Sequence, residues 1–269
     1  MSAIAVDPSI DLDHRVPFAA VRDALAVTQR NLIHFIRIPQ LLVFSTIQPV
    51  IFVLLWRFVF GGAIGGTRGV PYVDFLMPGI FVQTVVFGAM ATAIGLAADL
   101  KSGMLERFLS LPMSRSAVLV GRTLADLVRN VFVVILMVLV GFAVGFRIHT
   151  NVGAFLLGLG FVLLFGYAMS WIFAAVGLMV KDPETAQAAA FPVLAPLVFA
   201  STAFIPLITM PGWLQAFARN QPVSVTVEAV RALSIGGPTS DAVVQALLWC
   251  AGIVAVFATI AIRLYRRAL

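Results

Sequence analysis

Charge is what this chain has least of. Charged side chains make up 11% of its 269 residues, less than half of the roughly 25% usual in a soluble domain. Cysteine is almost absent, and the single Cys250 sits in an apolar run, so neither a disulfide framework nor a cysteine metal site is available. The three histidines, His14, His34 and His149, are too scattered to form a metal-binding spacing. The net charge of +6 comes from dispersed basic residues with no nucleic-acid patch, so no nucleic-acid partner is expected. The run GGAIGGTR (61–68) superficially resembles a phosphate loop, but it has no lysine and follows no soluble strand. No metalloprotease histidine pair and no Gly-x-Ser-x-Gly elbow occurs. No Asp or Glu falls in the middle of a predicted span, which argues against a proton- or cation-coupled carrier.

What is present is apolar: 61% of the residues, in long uncharged blocks suited to a lipid solvent. The sequence predicts an all-α membrane protein with six transmembrane helices. The first span, 41–60, has 20 residues, about 30 Å of helix; Arg57 near its outer end either extends its head to the interface or is a functional charge within the membrane. The second is 75–98, bounded by Asp74 and Asp99. A helical pattern over 116–146 gives the third. At roughly 46 Å it is longer than the bilayer core, so its first turns project into the cytoplasm. Gly141 and Gly145 form a small-xxx-small pair there. The fourth is 152–180, followed by the turn 181–185 with Asp182 as cap and Pro183 as first helical residue. The fifth, 186–204, is kinked by Pro192 and Pro196, and the sixth is 242–262. Between the last two, prolines leave short apolar pieces at 213–218 and 224–233, read as short re-entrant helices in which Glu228 and Arg231 pair at i, i+3.

Residues 1–15 read as a disordered cytoplasmic tail without the pattern of a signal peptide, and 16–269 as one six-span transmembrane domain. Over 17–37, Arg22, Asp23, Gln29, Arg30, His34 and Arg37 share one arc of a helix. Phe18, Val21, Leu25, Leu32, Phe35 and Ile36 fill the other. This predicts an amphipathic helix at the inner membrane surface, in contact with membrane lipids. A second short amphipathic helix is expected between spans two and three. There Met104, Leu105, Phe108 and Leu109 share a face, Lys101, Glu106 and Arg107 lie off it, and Pro112 ends the segment. From pattern alone that helix either rests on lipid or docks on a soluble partner.

The run ERFLSLPMSRSAVLVGRTLAD from Glu106 to Asp126 resembles the cytoplasmic segment of type-2 ATP-binding-cassette export permeases, most nearly the daunorubicin-resistance branch. A second match follows in the same order: PGWL from Pro211, NQPV from Asn220 and EAVRALSIGG from Glu228. The resemblance implies a permease that is not itself an enzyme and carries no cofactor. ATP and magnesium would sit on two copies of a separate ATP-binding-cassette ATPase subunit, and a second permease, identical or homologous, would complete the transporter. It casts Met104, Leu105, Glu106, Arg107, Phe108, Leu109 and Leu111 as the motor-coupling helix. The stripe Arg122, Asp126 and Arg129 becomes the transmission element, and Trp213, Asn220, Pro222, Glu228 and Arg231 an extracellular re-entrant motif. The cargo would be an amphiphilic drug, polyketide or lipid, with a lipid-linked glycan as the alternative; an ATP-independent channel or a membrane scaffold is the reading from a different class. Thirteen of the 18 basic residues fall in segments on the amino-terminal side of the membrane and four on the other. The positive-inside rule therefore predicts both termini in the cytoplasm of a bacterial inner membrane.

Overall fold

Prolines and polar caps set where the helices begin. The computed structural model describes residues 17–37, 39–61, 70–104 and 115–268, and within them the chain is helical. Four helices start at a proline, where the missing N–H costs nothing: α1 (Pro17–Arg37), α2 (Pro39–Leu54), α6 (Pro183–Phe199) and α8 (Pro222–Ile235). The others are α3 (Tyr72–Lys101), α4 (Arg115–Ala143), α5 (Val152–Val180), α7 (Gly212–Asn220) and α9 (Ser240–Ala268). Asn151 caps α5 by accepting from the Ala154 N–H at 2.7 Å. Lys181 turns the chain in the left-handed region at φ 61°. Asp182 then caps α6 through the Thr185 N–H at 3.0 Å, as the turn 181–185 predicts.

Helix α3 is the hub, with α2, α4, α5, α6 and α8 packed around it. Its approach to α5 depends on small residues: a Cβ on Gly177 would lie 2.4 Å from the Ala93 carbonyl oxygen. By contrast α9 is peripheral. Val244, Leu248 and Val256 on it are exposed, which suits side chains that face lipid.

Among the described residues, four helices are long and apolar enough to cross a membrane: α3, Ala117–Ala143 of α4, α5 and Ser240–Arg267 of α9. The expected first and fifth spans are shorter. The first is α2, with Pro49 inside, which passes into a π-helical turn at Leu55–Phe60. The fifth, α6, ends at Phe199 after Pro192 and Pro196, where the chain turns. Helix α4 also stops earlier than its pattern predicts. Gly145 adopts φ 102°, and the Phe146 N–H closes back onto the Gly141 carbonyl at 2.9 Å. Gly141 and Gly145 are therefore no packing pair. Gly141 abuts the Met77 side chain, and Gly145 ends the helix.

Helix α1 spans the predicted residues, but its faces are used differently. The stripe turned to the protein is Asp23, Ala24, Val27, Thr28 and Asn31, while Val21 and Leu25 of the predicted apolar arc are exposed. The reason is a third surface. Gly121 lets α1 approach α4 so closely that the Thr28 hydroxyl reaches the Gly121 carbonyl at 3.0 Å. A helix between lipid, water and protein has three faces, and a two-way apolar/polar split cannot show the third. The predicted tail 1–15, residues 62–69 and the coupling residues Leu105, Glu106, Arg107, Phe108, Leu109 and Leu111 lie outside the described residues; Met104 is described and half-buried.

Candidate functional site

The residues of the predicted stripe do not face water. On α4, Asp126 and Arg129 are buried (1% and 6% exposed), and their partners come from α3, antiparallel to it. Asp99 accepts from Arg122 Nη1 at 3.0 Å, Thr92 donates to Asp126 Oδ2 at 2.5 Å, and Arg129 Nη2 donates to the Gly88 carbonyl at 2.5 Å. Arg129 also pairs with Asp126 Oδ1 at 3.5 Å. Gly88, Thr92, Gly95 and Asp99 recur every four, three and four residues, one face of a helix. The glycines make room: a Cβ at position 95 would collide with the Arg122 guanidinium, and one at 88 would lie 2.7 Å from Asn130 Oδ1. The result is a ladder of polar rungs between two long helices. Asp126 lies within a helix segment apolar enough to span, toward one end of it and not at its middle. It is hydrogen-bonded and ion-paired, as a buried charge must be.

Hydropathy hid the α3 half of this ladder, because Gly88, Thr92 and Gly95 count as neutral or apolar. Their 4-3-4 spacing running into Asp99 was the available signal.

The ladder joins two distinct places. At one end Arg30 of α1 reaches Asp99 at 3.7 Å, and Lys101 bonds Asp182 at 2.6 Å. That bond first, then the Thr185 N–H and hydroxyl, holds the Asp182 carboxyl down at about 2. Tyr265 near the end of α9 packs in the same cluster as Leu96 and Val118. The end of α3, the start of α4, α1 and the end of α9 therefore meet at one basic end of the bundle.

The other end of the ladder opens into a cavity of about 250 Å³ between α2, α3 and α4. Its polar wall includes Gln83, Thr84, Arg129 and Asn130. Phe52 and Phe87 also line it, with ring centroids 6.4 Å apart and planes tilted by 44°.

At the opposite end of α3 a second polar group forms. Arg231 is 4% exposed and donates to Glu228 at 2.6 Å, to the Thr202 carbonyl at 2.9 Å and to the Phe75 carbonyl at 3.2 Å. Its guanidinium carbon lies 3.7 Å from the Phe75 ring centre, a cation–π contact. Asp74 accepts from the Arg147 N–H at 2.8 Å and meets His149 Nε2 at 2.7 Å. Of the predicted re-entrant motif, Glu228 and Arg231 thus come together and Pro222 begins α8. Trp213 and Asn220 stand apart, exposed on α7.

Comparison with known proteins gives one consistent answer. The ABC-2 type transporter family matches residues 22–234. The chain is 37% identical over 251 residues to the daunorubicin resistance ABC transporter permease protein DrrB1 of Streptomyces coeruleorubidus, covering 92% of this chain and 87% of that one. It is 29% identical over 256 residues to the doxorubicin resistance ABC transporter permease protein DrrB of Mycobacterium tuberculosis, covering 87% and 86%.

Proposed function

The chain belongs to the ABC-2 type transporter family, and we propose that this multi-pass membrane protein is the permease subunit of an ATP-driven drug exporter. In this reading it works with a second permease, identical or homologous, and two copies of a separate ATP-binding-cassette ATPase. It crosses the bacterial inner membrane six times, α2 and α6 being the two short spans, with both termini in the cytoplasm. The basic end of the bundle then faces ATP. Residues 16–269 act as one permease domain, and α7 and α8 form the outer re-entrant motif.

The observation that carries this reading is the ladder. Its Asp99 end adjoins Met104, where the proposed coupling helix Met104–Leu111 begins, and its Arg129 end forms a wall of the cavity. Movement of the coupling helix by the motor subunit would pull on α3 and α4 together, because three polar rungs tie them. A cavity walled by phenylalanine and a few amides suits an amphiphilic drug, polyketide or lipid better than a lipid-linked glycan, which needs many hydrogen-bond partners. Here the relatives' daunorubicin and doxorubicin names are relevant.

The test is reconstitution with a motor subunit. The chain alone should neither bind nor hydrolyse ATP, and an ATPase rate from it purified by itself would overturn the assignment. In the complex, Phe108→Ala should abolish substrate-stimulated ATPase or weaken co-purification of the motor subunit, a loss of about 2 kcal/mol or more for an aromatic anchor. Arg267→Glu, on the exposed tail of α9, should do much less. Wild-type coupling in Phe108→Ala would return that helix to the lipid surface.

A further inference from the structure

The cavity between α2, α3 and α4 has features that the ladder does not need. We infer that it is a binding site for the aromatic portion of an uncharged amphiphile that carries a hydroxyl donor. The inference deepens the exporter reading and rests on it only for the direction in which the occupant travels.

Size comes first. A dry apolar cavity of about 150 Å³ takes a benzene ring, so about 250 Å³ accommodates a fused two-ring fragment. Gln48 lies on the rim and is exposed, so the rest of a larger molecule can extend outward. Phe52 and Phe87 form a tilted aromatic pair, which gives the lining ring surface for an aromatic ligand to pack against. Met90, Ile94 and Val133 complete the apolar lining.

Polarity then sets the chemistry. Gln83 is 5% exposed, and among the described residues its side-chain oxygen accepts no hydrogen bond. A buried acceptor without a donor is destabilising, and few such groups survive in native proteins without a partner. A ligand hydroxyl would supply the missing donor.

Charge excludes the alternatives. Arg129 is held by Asp126 and the Gly88 carbonyl, and among the described residues no carboxylate lines the cavity. A cation there would meet the Arg129 guanidinium with no carboxylate in the lining to pair with, and an anion would have to compete with Asp126 for Arg129. A neutral occupant avoids both penalties.

The test uses the full-length chain in lipid nanodiscs with Ala91→Cys, a cavity-lining position, on a Cys250→Ser background. The rate of modification by a thiol reagent is followed with 2-naphthol or with 2-methoxynaphthalene, which has the same rings but no donor. We expect 2-naphthol to protect the cysteine at concentrations about tenfold lower than the ether. Gln83→Leu should erase that difference while leaving protection by the ether unchanged, which also shows that the cavity still forms. Val133→Trp, which fills the space, should abolish protection by both. Equal protection by the two probes in the unsubstituted cavity, or no protection by either, overturns the proposal, and that comparison needs no variant of Gln83 to fold. Because protection requires no motor subunit, a chain that protects as expected but exports nothing would sink the exporter reading alone. One that exports without protection would sink only the cavity.

Discussion

Helix α3 buries charge at both ends, and does so by opposite means. At its amino-terminal end Arg231 is fixed by two backbone carbonyls, a carboxylate and the face of Phe75. Its partners come from α3, the turn after α6 and its own helix, so the guanidinium fork pins three segments at one point. Along the carboxyl-terminal half, the rungs are contacts between only two helices, spaced one turn apart and made mainly by side chains. A knot of the first kind resists displacement in every direction. A ladder of the second kind keeps two helices in register while they move together. The first suits a fixed cap, the second an element that carries motion.

The largest effect is therefore expected at the knot. Arg231→Ala strands the Phe75 and Thr202 carbonyls and leaves a guanidinium-sized void, at a cost of about 3–5 kcal/mol. The yield of folded chain and its melting temperature in detergent measure it. Arg231→Lys should rescue little, because a single ammonium cannot replace the fork. A stable lysine variant would show that charge alone, not geometry, holds the knot.

A smaller effect, of a different kind, is expected at the ladder. Asp126→Leu leaves the buried Arg129 without its carboxylate and should cost about 3 kcal/mol. Pairing it with Arg129→Met removes the stranded charge and should restore most of the stability but not the coupling of ATPase to export. Melting temperature and drug efflux at equal membrane expression separate the two. A double variant that couples normally would make the ladder a structural feature only.

The smallest effect is expected at the exposed bridge beside the ladder. Lys101→Ala should leave the melting temperature within error, since solvent screens such pairs. The Asp182 carboxyl is depressed from 3.8 to about 2. Its contribution is thus complete above about pH 4 and is lost only as pH falls through about 2. A stability change near neutral pH that Lys101→Ala removes would contradict this.

The contrast also separates what was legible in the sequence. The i, i+3 pair of Glu228 and Arg231 could be read from spacing, because both residues lie on one helix. The Phe75 and Thr202 carbonyls could not, since every residue has a carbonyl and only the fold selects two. The stripe Arg122, Asp126 and Arg129 was visible as three charges in register, but its facing was not. Charges at the mouth of a span look the same whether they meet water or a neighbouring helix. The α3 side of the ladder was masked by glycine, whose role is to leave space and which has no side chain to reveal it.

The sequence by itself determined the solvent. Uncharged blocks long enough to cross lipid leave the backbone only the helix, and two separated motifs marked the family. It also determined where α6 begins, through Asp182 as cap and Pro183 at the first turn. Tertiary structure alone decided which helix is central, that α1 turns a mixed polar and apolar stripe to α4, and that the ladder leads to a cavity containing a Gln83 oxygen unmatched among the described residues. These are properties of pairs of surfaces. Local pattern fixes which faces a helix has, and packing decides what each face meets.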